Sequence, residues 1–285
     1  MTKQVYIPNQ VTTQTNHIVQ VQNFFTDLYQ TKRTLGRPPN LNTSDIATIL
    51  MIQSEFGNCN LLRLYKLLKT HYLEHFELPC YKNFVLSMHR ETIHLISLLN
   101  TVLSYFSNKN LMFIDSSALP VCKIYKEKKH KTMKLLAKKS KTTTGWYYGL
   151  KLHLVSDENG NPTFIRFTTS SVDDRVVLNT IIKKFSDKTF VADAGYLGKK
   201  YQQTGIKNNN FTLTPCRFNM KVLSTVWQNN MMNMRSIIES VFSSLKTHYG
   251  LVDTISRSVN GYLTNYLRAI FRYCFRNIFS YVRLS

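Results

Sequence analysis

The feature that most limits the possible folds of this chain is an apolar run that ends in a carboxylate. Leu111 to Ile114 is uninterrupted hydrophobic sequence, and Asp115, Ser116 and Ser117 follow it directly. The run predicts a short buried strand with Asp115 at its end. A buried carboxylate is costly unless a cation lies nearby. The pattern therefore predicts a site at the rim of a sheet where this acid meets positive charge.

Two later acids are the expected companions of Asp115. Asp193 directly follows the apolar residues Phe190-Val191-Ala192, and Glu239 is one of only two acids after Asp193. Arg235, Glu239 and Lys246 are spaced to lie near one face of a helix. That spacing alone leaves two interpretations open. The three residues form either a solvated row of charges or an acid between two cations that hold phosphate.

The second half of the chain has the pattern of strands followed by α/β units. Side chains alternate from Trp146 to Val155, Asp157-Glu158-Asn159-Gly160 predicts a hairpin turn, and Thr163 to Thr169 predicts the returning strand. A long helix is predicted from about Ser224 to Tyr249. The whole order is three antiparallel strands, helix, strand, helix, strand, helix. It predicts an α/β, ribonuclease H-like mixed sheet flanked by helices.

Three acids on such elements suit one kind of chemistry. Cleavage of a phosphodiester bond needs an activated oxygen nucleophile and a stabilised leaving oxygen, and two divalent ions about 3.5–4 Å apart supply both. Mg²⁺ prefers oxygen ligands and keeps several waters, so a few carboxylates are enough to hold it. Asp115, Asp193 and Glu239 are therefore the candidate catalytic residues and metal ligands.

The N-terminal third of the chain predicts helices only. Asn42-Thr43-Ser44-Asp45 is a capping cluster, and apolar residues at helical spacing continue through residues 61–68 and Phe84 to Phe106. We predict an all-helical region over residues 1–106 that serves DNA binding or dimerisation, two alternatives that the sequence leaves open. Residues 107–285 then form the ribonuclease H-like domain, with a basic insertion at 122–145 and helices at the C terminus.

Charge narrows the class of partner. The chain has 37 Lys and Arg against 16 Asp and Glu, a formal net charge of +21. Such charge predicts a polyanionic partner, either nucleic acid or an acidic membrane. Nothing approaches the roughly 18 apolar residues of a membrane span, and no signal peptide is evident, so we expect DNA and a cytoplasmic location. The five cysteines are odd in number and scattered, which predicts reduced thiols without zinc or disulfides.

The predicted DNA contacts concentrate after Asp115. Nine lysines stand between Cys122 and Lys141 against one acid, Glu127. This segment predicts a loop or ribbon over the active site, and phosphate contact and a merely solvated charge run both stay open. Trp146, which follows it, could stack on a base or cap the sheet, and core packing is the expected role for an aromatic residue at the start of a strand. The candidate DNA contacts outside the helix are Lys128, Lys129, Lys138, Lys139, Lys151 and His153.

These stretches together resemble the DDE transposases of bacterial insertion sequences. The family's motifs are matched in order by Ile114-Asp115-Ser116, by Asp193-Ala194-Gly195-Tyr196, and by the helix with Arg235, Glu239 and Lys246. Gly149–His153 and Val172–Arg175 also resemble accessory stretches in one branch of the family. The resemblance covers roughly residues 36–280. It departs at Met232, where the family usually has a Tyr that helps to position DNA.

The resemblance implies a specific activity. Asp115, Asp193 and Glu239 would hold two Mg²⁺ ions, for which Mn²⁺ can substitute, and Arg235 and Lys246 would contact DNA near the transposon end. The expected reaction is cleavage at the terminal inverted repeats and strand transfer into target DNA, by a homodimer or larger assembly at the bacterial nucleoid. Two alternatives remain, a nuclease of the same fold that only hydrolyses and a catalytically inactive DNA-binding regulator.

Overall fold

A computed structural model describes residues 14–29, 39–56, 60–105, 108–196, 198–215, 225–252 and 256–276. The chain divides into two compact units. One comprises Met1–Thr101 and Leu263–Ser285, and the other comprises Val102–Tyr262. Residues from Leu263 onward thus group with the N-terminal helices. The functional domains expected at 1–106 and 107–285 stay predictions.

The regular elements follow one another in a simple order. In the described part of the chain, five helices come first, four strands follow, helices and strands then alternate, and three helices come last: α1 (Gln14–Leu28), α2 (Thr43–Glu55), α3 (Leu61–His71), α4 (Tyr81–Arg90), α5 (Thr92–Tyr105), β1 (Leu111–Cys122), β2 (Lys138–Thr142), β3 (Gly145–Asp157), β4 (Pro162–Thr169), α6 (Asp174–Lys184), β5 (Thr189–Ala192), α7 (Lys199–Lys207), β6 (Phe211–Leu213), α8 (Val226–Asn233), α9 (Ser236–Thr247) and α10 (Val259–Cys274). Short 3₁₀ helices span Ile124–Lys129 and Ala194–Tyr196.

The helical unit is built as the sequence predicts, with one added break. The Asn42 side chain accepts a hydrogen bond from the Asp45 amide, and the Asp45 side chain accepts one from the Asn42 amide, so α2 begins with a capping box. The single stretch predicted from residue 84 to 106 is two helices, α4 and α5, separated at Glu91. Glu91 is buried there and accepts a hydrogen bond from Thr43 at 2.8 Å.

Aromatic packing closes the helical unit. Phe25 of α1 is fully buried, and its ring lies edge-on to Phe271 of α10, with 5.7 Å between the ring centroids. A second edge-on contact joins Phe25 to Phe275 at 5.4 Å. Buried rings of this size supply much of the apolar area that stabilises a small unit, which explains why the last helix groups with the first.

Among its described residues, the other unit contains a six-stranded sheet in which β2, β3, β1, β5 and β6 are neighbours in that order and β4 also pairs with β3. β4, β3 and β1 are antiparallel neighbours, whereas β5 is parallel to β1 and β6 is parallel to β5. The short strand β2 pairs with the first residues of β3, on the edge that β4 occupies further along. Three antiparallel strands continued by two parallel ones form the predicted ribonuclease H-like sheet.

A helix covers one face of this sheet and explains its long apolar strands. Asp173 caps α6 by accepting a hydrogen bond from the Arg175 amide. The buried residues of α6 pack on the alternate residues of β1 and β3 that point to the same side: Val177, Leu178, Ile181 and Ile182 on Met112, Ile114 and Val155. The hydrophobic core of this unit therefore lies between α6 and the strands that lead to the candidate acids.

Two predicted boundaries are wrong, and both concern the candidate site. β1 does not end at Asp115, because residues 116–122 continue to pair with β3 as far as Cys122. The long helix predicted from about Ser224 is two helices, α8 and α9, which are separated at Met234 and Arg235. Ser224 itself lies outside the described residues.

Two further expectations concern membranes and thiols. In the described part of the chain, the structure contains no helix that is both long and apolar enough to cross a membrane. Cys80, Cys122 and Cys274 are free thiols. Cys59 and Cys216 lie outside the described residues.

Candidate active site

The parallel pairing of β1 and β5 brings two of the candidate acids together. Ile114 of β1 lies opposite Ala192 of β5, and this is the last pair before β5 ends. The next residues along the two strands are Asp115 and Asp193. Neighbouring strands are only about 5 Å apart. The residues that directly follow a paired position therefore lie side by side, which brings the carboxylates of Asp115 and Asp193 close together.

The break between α8 and α9 supplies the third acid and a cation. Arg235 stands at the start of α9 with helical dihedral angles, and Glu239 lies in the first turn of that helix. The guanidinium of Arg235 lies 3.9 Å from Oδ2 of Asp115, 3.7 Å from Oδ1 of Asp193 and 3.8 Å from Oε1 of Glu239. The three acids that the sequence singled out thus surround one guanidinium group.

The contacts around Arg235 are loose ion pairs. Direct hydrogen bonds between a guanidinium and a carboxylate measure about 2.7–2.9 Å, and all three distances here are longer. The Arg235 side chain is largely buried, and its Nε atom has no hydrogen-bond partner among the described residues. Arg235 therefore offsets part of the negative charge of the acids without making short bonds to any of them.

The environment of Asp115 disfavours its charge. Burial raises the pKa of Asp115 to about 6, and the negative charges of Asp193 and Asp174 act in the same direction. The Ser116 amide, which donates a hydrogen bond to Asp115 at 2.8 Å, and the charge of Arg235 oppose this rise in pKa. Additional positive charge near Asp115 would therefore favour the ionised carboxylate.

Lys246 belongs to the same electrostatic environment. It lies in the last turn of α9, and burial lowers the pKa of its ammonium group, while the charge of Asp115 opposes this change. Ile238, Val241 and Leu245 of α9 are buried, so the helix is fixed by its apolar side. Arg235, Glu239 and Lys246 are therefore carried by a helix that is fixed on its apolar side.

The donor atoms of this site suit a hard divalent cation. All three acids offer carboxylate oxygens, the ligand type that Mg²⁺ prefers. Among the described residues, no three His, Cys, Asp or Glu side chains are grouped closely enough to hold a metal as they stand. Instead, the three acids surround the cationic group of Arg235. The residues fit Mg²⁺ in chemistry, and Arg235 occupies the place where positive charge is required.

The sequence of the sheet unit matches a known family. The model of the transposase DDE domain matches residues 106–259, which is more than half of the chain. The chain belongs to the DDE transposase family. No curated protein matches this transposase significantly.

Solved transposase structures overlap this family member only loosely. One is a piggyBac transposase synaptic complex with hairpin DNA, at 10% identity and a TM-score of 0.45, over 93% of this chain and 72% of that one. Another is the Mos1 transposase paired-end complex with the left transposon end, at 12% identity and a TM-score of 0.24, over 94% and 88%. At such scores no residue role can be transferred between the structures.

The basic insertion of this transposase is ordered and solvent-facing. The four lysines predicted to contact DNA in this segment are all exposed: Lys128, Lys129, Lys138 and Lys139. The segment consists of the 3₁₀ helix Ile124–Lys129 followed by β2, which forms a two-stranded ribbon with the start of β3. Met133 is fully buried within it, so the segment is anchored and is not a loose run of charges.

The two predicted DNA contacts on β3 have other partners in the transposase. His153 is fully buried, and its Nε2 lies 2.8 Å from the Thr168 hydroxyl. A direct contact of His153 with DNA is therefore a wrong expectation, because the first turn of α6 covers this side of β3. Lys151 is mostly buried, and its Nζ donates hydrogen bonds to Asp174 at 2.9 Å and to the Val172 carbonyl at 3.1 Å.

Two residues near the acids were not among the predicted site residues. Asp174 contributes negative charge to the environment of Asp115 and ion-pairs with Lys151. The signal for it was the pair Asp173-Asp174, since one Asp is enough to cap a helix. Tyr196 is buried, and burial raises the pKa of its hydroxyl, with the charge of Asp174 acting in the same direction. Its place in the motif after Asp193 was visible in the sequence.

Proposed function

We propose that this DDE transposase belongs to a bacterial insertion sequence, cuts DNA at the ends of its element, and joins the cut end to target DNA. The observation that carries the proposal is the approach of Asp115, Asp193 and Glu239 to one guanidinium, each within 4 Å. Burial raises the pKa of Asp115, and the charges of Asp193 and Asp174 act in the same direction, so the arrangement carries an electrostatic cost. That acids 78 and 46 residues apart nevertheless collect around one cation supports a shared task.

The three carboxylates would hold two Mg²⁺ ions, for which Mn²⁺ can substitute. When bound, these ions would supply activation of the attacking oxygen and stabilisation of the leaving oxygen. Arg235 and Lys246 would hold phosphate oxygens on either side of the scissile bond. The exposed lysines of the basic insertion would bind the phosphates beyond it, and such contacts carry a steep dependence on salt.

The same proposal assigns tasks to the rest of the chain. Residues 1–106 would bind the terminal inverted repeats or join two copies of the protein, because two element ends have to be brought together. The expected assembly is a homodimer or larger complex on DNA, at the nucleoid in the cytoplasm. Removal of the whole helical unit, residues 1–101 together with 263–285, should abolish the selection of element ends and leave general DNA binding by the basic insertion.

The decisive test uses single substitutions that keep the size of each side chain. Asp115→Asn, Asp193→Asn and Glu239→Gln should each abolish Mg²⁺-dependent cleavage of DNA that carries the sequences flanking the coding region, while gel-shift affinity for that DNA is kept. Glu158→Gln is the matched control, because Glu158 is a surface acid that pairs with Lys109 at 3.0 Å. Full cleavage by any of the three variants would remove that residue from the site.

The same preparation separates the alternatives. A pre-cut element end incubated with plasmid DNA in Mg²⁺ should yield joined products if the protein is a transposase. A nuclease of this fold would shorten the DNA and form no joined product. An inactive regulator would bind the ends and give neither product in Mg²⁺ or Mn²⁺.

A further inference from the structure

An exposed tryptophan stands on the basic ribbon, which comprises residues 123–146. Trp146 is 57% exposed, although it is the second residue of β3, the longest strand of the sheet. Tyr125, in the 3₁₀ helix of the same ribbon, is 72% exposed. Large aromatic side chains are costly to leave in water, and neither residue takes part in the candidate active site.

Each of these aromatic rings has a lysine beside it. Nζ of Lys139 lies 5.2 Å from the centroid of the Trp146 ring, and Nζ of Lys126 lies 5.8 Å from that of Tyr125. An ion pair of 3.8 Å between Glu127 and Lys139 joins the 3₁₀ helix to β2. Aromatic faces alternating with ammonium groups match a ligand that alternates flat bases with phosphates.

The basic ribbon is held in place before any ligand arrives. Met133 and Ala137 are buried, and the His130 ring contacts the rings of Tyr148 and Tyr262 at 6.3 Å and 6.1 Å between centroids. A ligand that binds a fixed platform loses less free energy to ordering the protein. Trp146 is therefore exposed on a segment whose position is fixed by buried contacts.

Trp146 lies far from the candidate catalytic acids. Leu154 of β3 pairs with Asp115 of β1, and Trp146 lies eight residues earlier on β3. At about 3.3 Å per residue this is roughly 26 Å along the strand.

We propose that Trp146, with Lys139 beside it, is a stacking site for an unpaired or extruded base of the DNA. A base inside a duplex has neighbours on both faces, whereas an unpaired base can offer a face to the indole ring. The nine exposed lysines of the ribbon are opposed by one acid, Glu127, which is already paired with Lys139. This charge favours nucleic acid over a protein partner as the occupant. The inference rests on the proposed DNA binding, and it adds that part of the bound DNA is unpaired.

The chain permits a direct optical test because it contains only two tryptophans, Trp146 and Trp227. In the full-length Trp227→Phe variant, fluorescence reports Trp146 alone. Titration with an oligothymidine of about 20 nucleotides, longer than the roughly 4–16 that one groove covers, should quench this fluorescence saturably in EDTA. A duplex of the same length should bind with little quenching.

Affinity measurements complete the test. In the same background, Trp146→Leu should weaken binding of the oligothymidine roughly tenfold, Trp146→Phe should keep part of the affinity, and duplex binding should stay nearly constant. Unquenched Trp146 fluorescence at saturation would overturn the proposal. Equal losses for both DNAs, or a change in oligomeric state in Trp146→Leu without loss of oligothymidine affinity, would also overturn it. Because the assay contains no divalent metal, its outcome is independent of the proposed cleavage activity.

Discussion

Arg235 should stabilise the metal-free protein and compete with metal for the same carboxylates. At 3.7–3.9 Å, a pair of unit charges attracts by about 4 kcal/mol at an effective dielectric of 20 and by about 1 kcal/mol in water. Asp193 and Glu239 are 57% and 62% exposed, so their pairs belong near the lower figure. The cost of burying Arg235 opposes the gain, which leaves about 2 kcal/mol as the net stabilisation.

Arg235→Gln removes this cation and leaves the acids to repel one another. In EDTA the variant should unfold at a lower temperature, by an amount that corresponds to about 2 kcal/mol. In titration calorimetry without DNA, the variant should bind Mg²⁺ more tightly, up to about 30-fold, since no resident cation has to be displaced. Arg63→Gln is the control, because Arg63 is exposed on α3, and it should change neither quantity. Unchanged melting in EDTA together with equal or weaker Mg²⁺ affinity would refute the reasoning.

Two further predictions concern the sheet that holds the site. Burial lowers the pKa of His153 to about 4 from an ordinary 6.5, so the unfolded chain takes up a proton between these values that the folded chain does not. The contribution of His153 to stability should therefore fall as pH drops from 6.5 through 4, by about 3 kcal/mol, while the raised pKa of Asp115 acts in the opposite direction. His153→Gln should lack this contribution, so the difference between its urea midpoint and that of the natural protein should change over this pH range, and a difference that is independent of pH would contradict the assignment. At Gly149, an added Cβ would lie 2.1 Å from the Leu119 carbonyl oxygen, whereas at Gly195 it would meet nothing within 4 Å. Gly149→Ala should thus cost about 2–3 kcal/mol of unfolding free energy, Gly195→Ala should be nearly neutral, and equal melting temperatures would show that β1 can move.

The sequence predicted the strand order and the three acids because both follow from local patterns. An apolar run before Asp115 and another before Asp193 are visible without any tertiary information. If the two parallel strands pair along their apolar residues, Ile114 comes to lie opposite Ala192, as it does in the structure. Because only two acidic residues follow Asp193 in the sequence, Glu239 was the expected third carboxylate of the site.

What local patterns could not provide was the neighbourhood of each side chain. Alternation places His153 on one face of β3, but only the position of α6 decides that this face is covered. The expectation that Trp146 packs in the core was wrong for the same reason, since β2 leaves the ring exposed. The break before α9 was also hidden, because Met234 and Arg235 are both compatible with a continuous helix.

The position of Arg235 determines what the site can do. Arg235 has helical dihedral angles and pairs with Glu239 at the i, i+4 spacing of the helix, and its guanidinium also lies beside Asp115 and Asp193. Three carboxylates around one guanidinium retain an excess of negative charge in a chain whose net charge is +21. Phosphates are drawn to the lysines of the basic ribbon but repelled at the acids, so DNA can settle over the acids only after further cations have neutralised them.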